Sequence, residues 1–129
     1  RMIFSGANLP LFCVHKGEVK MIRGDRQSLG YKKSDPDFNF TPHTIPIENR
    51  SSFYLSSDGF WDQMRKDETS RFGFRTFGKN RFAKLLGKID ALPFDARKKE
   101  LLDVFHAHQK DMPRQDDVTI VGFRLTLEN

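Results

Sequence analysis

The sequence predicts an α+β domain in which mostly antiparallel strands carry two helices packed on one face. Three observations lead there. The first half is a series of short apolar runs broken by Gly- and Pro-containing turns. Two helical periodicities follow, between Lys79 and about Pro113. The last apolar run, VTIVGFRLTL (118–127), returns to strand character.

Taken in order, RMIF at the start is apolar from its second residue, without a cap or a polar lead-in, as expected of a chain that continues upstream. LPLFCVH (9–15) reads as a strand with Pro10 near its start, where a missing N–H is tolerated. Lys16-Gly17 supplies a turn and EVKMIR (18–23) the return strand, so the two form a hairpin. GDRQSLGYKKSDPD is a polar loop, and the Pro-broken TPHTIPIE (41–48) an extended edge segment at best. SSFYLSS (51–57) is the clearest interior strand of the middle region. From Lys79 to Asp90, Phe82, Leu85, Leu86 and Ile89 recur at i, i+3, i+4 and i+7 on one helical face. Asp95 is the expected N-cap of a second helix, with Leu101, Leu102, Val104 and Phe105 as its apolar stripe and Pro113 as its stop. The terminal run is apolar on both alternating faces, which predicts a strand covered on both sides in the middle of a sandwich.

At 129 residues the chain has one domain's worth of length and can bury a real core. Thirteen Phe residues make much of that core aromatic. No apolar run approaches the roughly 18 residues of a membrane span, so no membrane contact is expected from this segment. The single cysteine, Cys13, excludes an internal disulfide, favours a reducing compartment and reads as a small core residue in mid-strand. A formal charge of +5 raises the question of nucleic acid. The basic residues are scattered, however, and the densest run, Arg97-Lys98-Lys99, lies in a predicted helix among acids. They read as solvated faces, and no nucleic-acid partner is expected.

Two acidic clusters sit at strand ends. Asp58 closes the strand that ends at Ser57, and Asp116-Asp117 opens the last one. If those strands are antiparallel neighbours, the carboxylates converge on one rim of the sheet, an arrangement suited to Mg²⁺ or Mn²⁺. Asp-Gly is equally a common turn dipeptide, and an Asp before a strand is a common loop residue, so the residues alone leave both readings open.

Five segments occur in an order and spacing that resemble the SpoIIE/RsbU-type branch of the metal-dependent PPM serine/threonine phosphatases. They are SGANLPLFCVHKGEV (5–19), GDRQSLG (24–30), YLSSDGFWDQ (54–63), the RFG…FGKNRFAKLL region and QDDVTIVGFRL (115–125). The resemblance implies an α-β-β-α sandwich, here partial, holding two Mn²⁺ or Mg²⁺ ions at one end. It places a metal ligand on Asp58 and another on Asp116, with Asp117 as a supporting or alternative ligand. It implies hydrolysis of phosphoserine or phosphothreonine by a water that two ions activate, with no phosphoenzyme. The substrate it implies is a phosphorylated signalling protein, an anti-sigma-factor antagonist of STAS type in bacterial partner switching. The setting it implies is a cytoplasmic domain behind sensory or membrane-anchored modules, and a homodimer is compatible with it.

Members of this branch carry upstream G-D-x-x-D and D-x-x-G-H/K-G segments that supply further ligands, and residues 1–129 contain neither. The expectation is therefore that residues 1–129 form the C-terminal portion of such a domain, and that this chain alone is inactive. The alternative is a non-catalytic, degenerate module for partner binding or dimerisation. Of the other residues, Phe60 and Trp61 are expected to pack beneath the rim, and Gln63 with Arg65-Lys66-Asp67-Glu68 to form a flexible flap. Arg71, Arg75 and Arg81 could meet an acidic surface. His106 and His108, about 200° apart on a helix, cannot chelate one ion together and are expected to face solvent or cap the helix.

Overall fold

A computed structural model describes residues 1–127. The chain runs β1 (Met2–Phe4), β2 (Leu11–His15), β3 (Glu18–Ile22), β4 (His43–Ile45), β5 (Ser52–Ser56), β6 (Met64–Lys66), β7 (Phe74–Thr76), α1 (Lys79–Ile89), α2 (Phe94–Gln109) and β8 (Ile120–Arg124). The main sheet has the order β3-β2-β5-β8, antiparallel throughout. Lys16 and Gly17 join β2 to β3 as a two-residue turn, both at positive φ (49° and 79°), which matches the twist of the flanking strands.

Period-two alternation divides the sheet into two faces. Phe12, Val14 and Tyr54 point to one side, where α1 contributes Phe82, Leu85, Leu86 and Ile89 and α2 contributes Leu101 and Phe105. Phe60, Trp61 and Phe77 complete this aromatic core, with Phe12 and Phe82 edge to face at 5.3 Å. Leu11 and Phe53 point to the other side, where the β1–β4 ribbon brings Met2, Phe4 and Ile45 against them. Helices on one face and a second, smaller layer of strands on the other make the expected α+β sandwich.

Three elements differ from the sequence reading. The last strand lies at the edge of the sheet, with β5 as its one neighbour, and Val121 remains half exposed. Ile120 still packs on the helical core and Phe123 on the ribbon core, so both faces are apolar without both being fully covered. Helix α2 starts before Asp95, which stands in its first turn while Pro93 takes the cap position. Its buried stripe is Arg97, Leu101, Phe105 and His108, with Leu102 exposed. Arg97 is tolerated there because every arm of its guanidinium is bonded: Nε to the Leu92 carbonyl, Nη1 to the Ser52 and Tyr54 hydroxyls, and Nη2 to the Asp90 carbonyl. Finally, the segment read as a flexible flap is strand β6 paired with β7, and Gln63 at its base is fully buried.

Candidate metal centre

The rim is built by the ends of β5 and β8, which are antiparallel neighbours with Ser56 opposite Ile120. Beyond the last paired residues, Ser57 extends the contact. Its N–H donates to the Thr119 carbonyl (2.9 Å), its hydroxyl donates to the Asp117 carbonyl (3.2 Å), and its Oγ accepts from the Thr119 N–H (3.0 Å). Gly59 then passes directly against the other chain: a Cβ built there would lie 2.2 Å from the Asp117 carbonyl oxygen. Glycine is required at that crossing by the space available. These contacts place Asp58 beside Asp116 and Asp117, and all three side chains are exposed. One oxygen of Asp116 accepts from the Asp117 N–H (2.7 Å).

A fourth carboxylate joins them. The Asp62 N–H donates to the Asp58 carbonyl (2.9 Å), one turn on, which brings Asp62 round to the same rim. Desolvation pushes the Asp62 carboxyl above its ordinary range, the negative charge of Asp58 adds to this, Lys79 opposes it, and Asp116 adds again. Asp62 was missed in the sequence. The signal available was its spacing, four residues after Asp58 across a turn, with Asp-Gly starting the turn.

The core supports this rim from below. Phe60 and Trp61, between Asp58 and Asp62, are buried among Phe77, Phe82 and Phe105, so these aromatics pack as expected. The buried Gln63 amide donates to the carbonyls of Met64 and Pro113 (both 3.1 Å), and Met64 N–H donates to Gln115 Oε1 (2.9 Å). Both sides of the rim are thus tied to the base of the β6–β7 hairpin. His108, expected at the surface, is buried instead, and its Nε2–H donates to the Gln63 carbonyl (2.7 Å). Burial drives its pKa down, the bond to Gln63 opposes this, and the charges of Arg81, Arg65 and Arg75 lower it further. Cys13 is half-buried against the ribbon face, and its burial raises the thiol pKa, with Lys20 opposing. That is a packing role, not a nucleophile's. Gly24-Asp25 serves the fold as well: the Asp25 carboxylate accepts from the N–H and hydroxyl of Thr41 (2.6 and 2.9 Å).

The donor set fits a hard divalent cation in kind, since exposed carboxylates from two strand ends lie on one rim. It is incomplete in number: among the described residues, no three His, Cys, Asp or Glu side chains form a group that could hold an ion. A cavity of about 540 Å³ opens elsewhere, between α2 and β8, lined by Tyr54, Phe94, Arg97, Leu101 and Ile120 among others, and contains none of the three predicted ligands.

A partial sandwich with acidic strand ends on one rim has the form of a PPM-type phosphatase domain, and comparison with known proteins agrees. The family model described as Stage II sporulation protein E (SpoIIE) matches residues 2–126, so the chain belongs to the SpoIIE family. Among solved structures, the SiaA-PP2C domain of Pseudomonas aeruginosa superposes with a TM-score of 0.79 at 31% sequence identity. The match covers 95% of this chain and 45% of that one, so this chain spans less than half the length of that relative. No curated protein sequence matches.

Proposed function

We propose that this chain is the C-terminal portion of a metal-dependent phosphatase domain that removes phosphate from serine or threonine of a signalling protein. By family resemblance, that substrate is an anti-sigma-factor antagonist of STAS type. The observation that supports the reading best is the crossing of Gly59 over the Asp117 carbonyl, which sets Asp58 beside Asp116-Asp117 on one exposed rim.

In this proposal Asp58 and Asp116 hold Mn²⁺ or Mg²⁺, with Asp117 supporting or replacing Asp116. Bound ions supply Lewis acidity toward phosphoryl oxygens and activation of water. The chain's own residues do the rest. Ser57 and Gly59 fix the separation of the two acidic segments, Asp62 brings a further carboxyl group to the same rim, and the buried Phe60 and Trp61 keep the Asp58 turn from moving. Residues 1–129 by themselves are inactive in this reading, because further ligands come from upstream.

The experiment is Asp58→Asn in the polypeptide that includes the upstream segment, assayed on a phosphoserine peptide with Mn²⁺. Loss of about a hundredfold or more in kcat/KM, with an unchanged circular dichroism spectrum, is expected when a directly bound charge is removed. Full activity in that variant sinks the proposal. So does hydrolysis by residues 1–129 alone at the parent's rate.

A further inference from the structure

The β6–β7 hairpin carries cations that no ion pair engages among the described residues. Arg65 and Arg75 are direct cross-strand partners, so their side chains share one face of the hairpin, where like charges disfavour pairing. Arg81, in the first turn of α1, joins them: its guanidinium lies 4.4 Å from the centroid of Phe77, and all three charges bear on the buried His108. The ion pairs among the described residues are His15–Glu48, Arg97–Asp90 and Lys99–Asp103, and none involves these three arginines. Arg65 Nε is buried without a hydrogen-bond partner. One acid, Asp67, lies near enough to feel Arg75 and Arg65, with one of its oxygens taken by the N–H and hydroxyl of Thr69 (3.0 and 2.6 Å), so a single carboxylate stands against three guanidiniums. Unpaired guanidiniums gathered on one face cost stability in the free protein, and an anionic partner recovers it.

The surroundings say what kind of anion. At the tip of the hairpin, next to Arg71, Phe72 is 78% exposed, so apolar contact is offered close to positive charge. That combination suits a polypeptide better than a free anion. The hairpin's base is also the base of the acidic rim: Met64 follows Asp62 by two residues and is bonded to Gln115, which adjoins Asp116. The acidic rim and the basic hairpin therefore share one base.

We infer that the arginine face of this hairpin docks an acidic segment of the protein substrate, flanking the residue whose phosphate is removed at the rim. Naming the docked protein as the substrate rests on the phosphatase reading; the docking surface itself does not. Arg75 and Arg81 are exposed and supply the accessible charges, Arg65 anchors from its half-buried position, and Phe72 at the hairpin tip covers apolar side chains of the segment.

The test is fluorescence anisotropy of residues 1–129 with a labelled, unphosphorylated peptide rich in Asp and Glu, and with the same peptide carrying Asn and Gln. A single-stranded DNA oligonucleotide of matched charge is the third probe. The acidic peptide should bind, weakening as salt rises, and the neutral peptide should not. The double variant Arg75→Gln/Arg81→Gln should weaken acidic-peptide binding about tenfold or more, while Lys32→Gln/Lys33→Gln, the same loss of charge elsewhere, should change it less than about twofold. Thermal melts confirm folding, and Arg65→Lys, which keeps the charge, should retain most of the binding. Equal binding of the two peptides, or equal loss in the two double variants, overturns the inference. Tighter binding of the oligonucleotide with the same variant sensitivity overturns it in favour of a nucleic-acid surface. Because the peptide is unphosphorylated and needs no turnover, docking observed beside an inactive parent protein upholds the surface and defeats the phosphatase reading instead.

Discussion

The two sides of the acidic rim are held in place by different physics. Asp58 stands at the end of β5, the strand with neighbours on both sides, and its turn continues into Phe60 and Trp61, which are buried in the main core. Asp116 and Asp117 stand in an exposed segment before β8, the edge strand, with Val118 only partly buried behind them. One side is positioned by apolar burial and the other by a few polar contacts with the first. The separation of the carboxylates therefore depends mostly on the crossing at Ser57 and Gly59. Its orientation in the molecule depends on the aromatic core.

Cutting the core side should have the largest effect. Phe60 is buried against Phe77, Phe82 and Phe105 at ring distances of 5.0 to 5.2 Å. Phe60→Ala should cost about 3–5 kcal/mol in a denaturant titration, the usual range for removing a buried aromatic ring. A loss below about 1 kcal/mol would show that the Asp58 turn is not held by its core contacts. The next largest effect belongs to the crossing. Gly59→Ala puts a methyl group 2.2 Å from the Asp117 carbonyl oxygen, backbone against backbone, so one side must move. Overpacking of this kind costs about 1–3 kcal/mol. If the proposed metal centre is right, the same change in the parent protein should weaken Mn²⁺ affinity, because the acidic segments are pushed apart. Wild-type affinity in a folded Gly59→Ala protein would show that the crossing does not set the carboxylate separation.

The same contrast explains what the sequence disclosed. The core side was legible because hydrophobic periodicity reports burial: Phe82, Leu85, Leu86 and Ile89 line α1 as their spacing predicts. The convergence of Asp58 with Asp116-Asp117 followed from assuming that two strands are neighbours, which they are. What stayed hidden depends on partners distant in sequence. Arg97 looks like a solvated charge until Ser52, Tyr54 and Asp90 are placed around it, and His108 looks like a surface histidine until the Gln63 carbonyl reaches it. Apolar pattern cannot distinguish an edge strand with two apolar faces from a central one, so β8 was misplaced. Asp62 escaped because its role comes from a turn that carries it back to Asp58, and a turn's course is set by backbone bonds that composition does not report.

The smallest change falls on the polar contact between the two sides. Ser57 joins the two sides with its side chain, donating to the Asp117 carbonyl and accepting from the Thr119 N–H, at a position only partly shielded from water. Ser57→Ala leaves the backbone bond from Ser57 N–H to the Thr119 carbonyl in place and lets solvent satisfy the two groups released. The global cost should therefore be about 0.5–1.5 kcal/mol, the net worth of such bonds. The local consequence should be larger than that figure suggests, because the Asp116-Asp117 segment has little apolar burial to fall back on. Amide hydrogen exchange should quicken at Thr119 while the amides of α1, held by the aromatic core, keep their protection. Equal acceleration in both places would mean that the two sides open as one unit, and the distinction between a core-held and a contact-held side would fail.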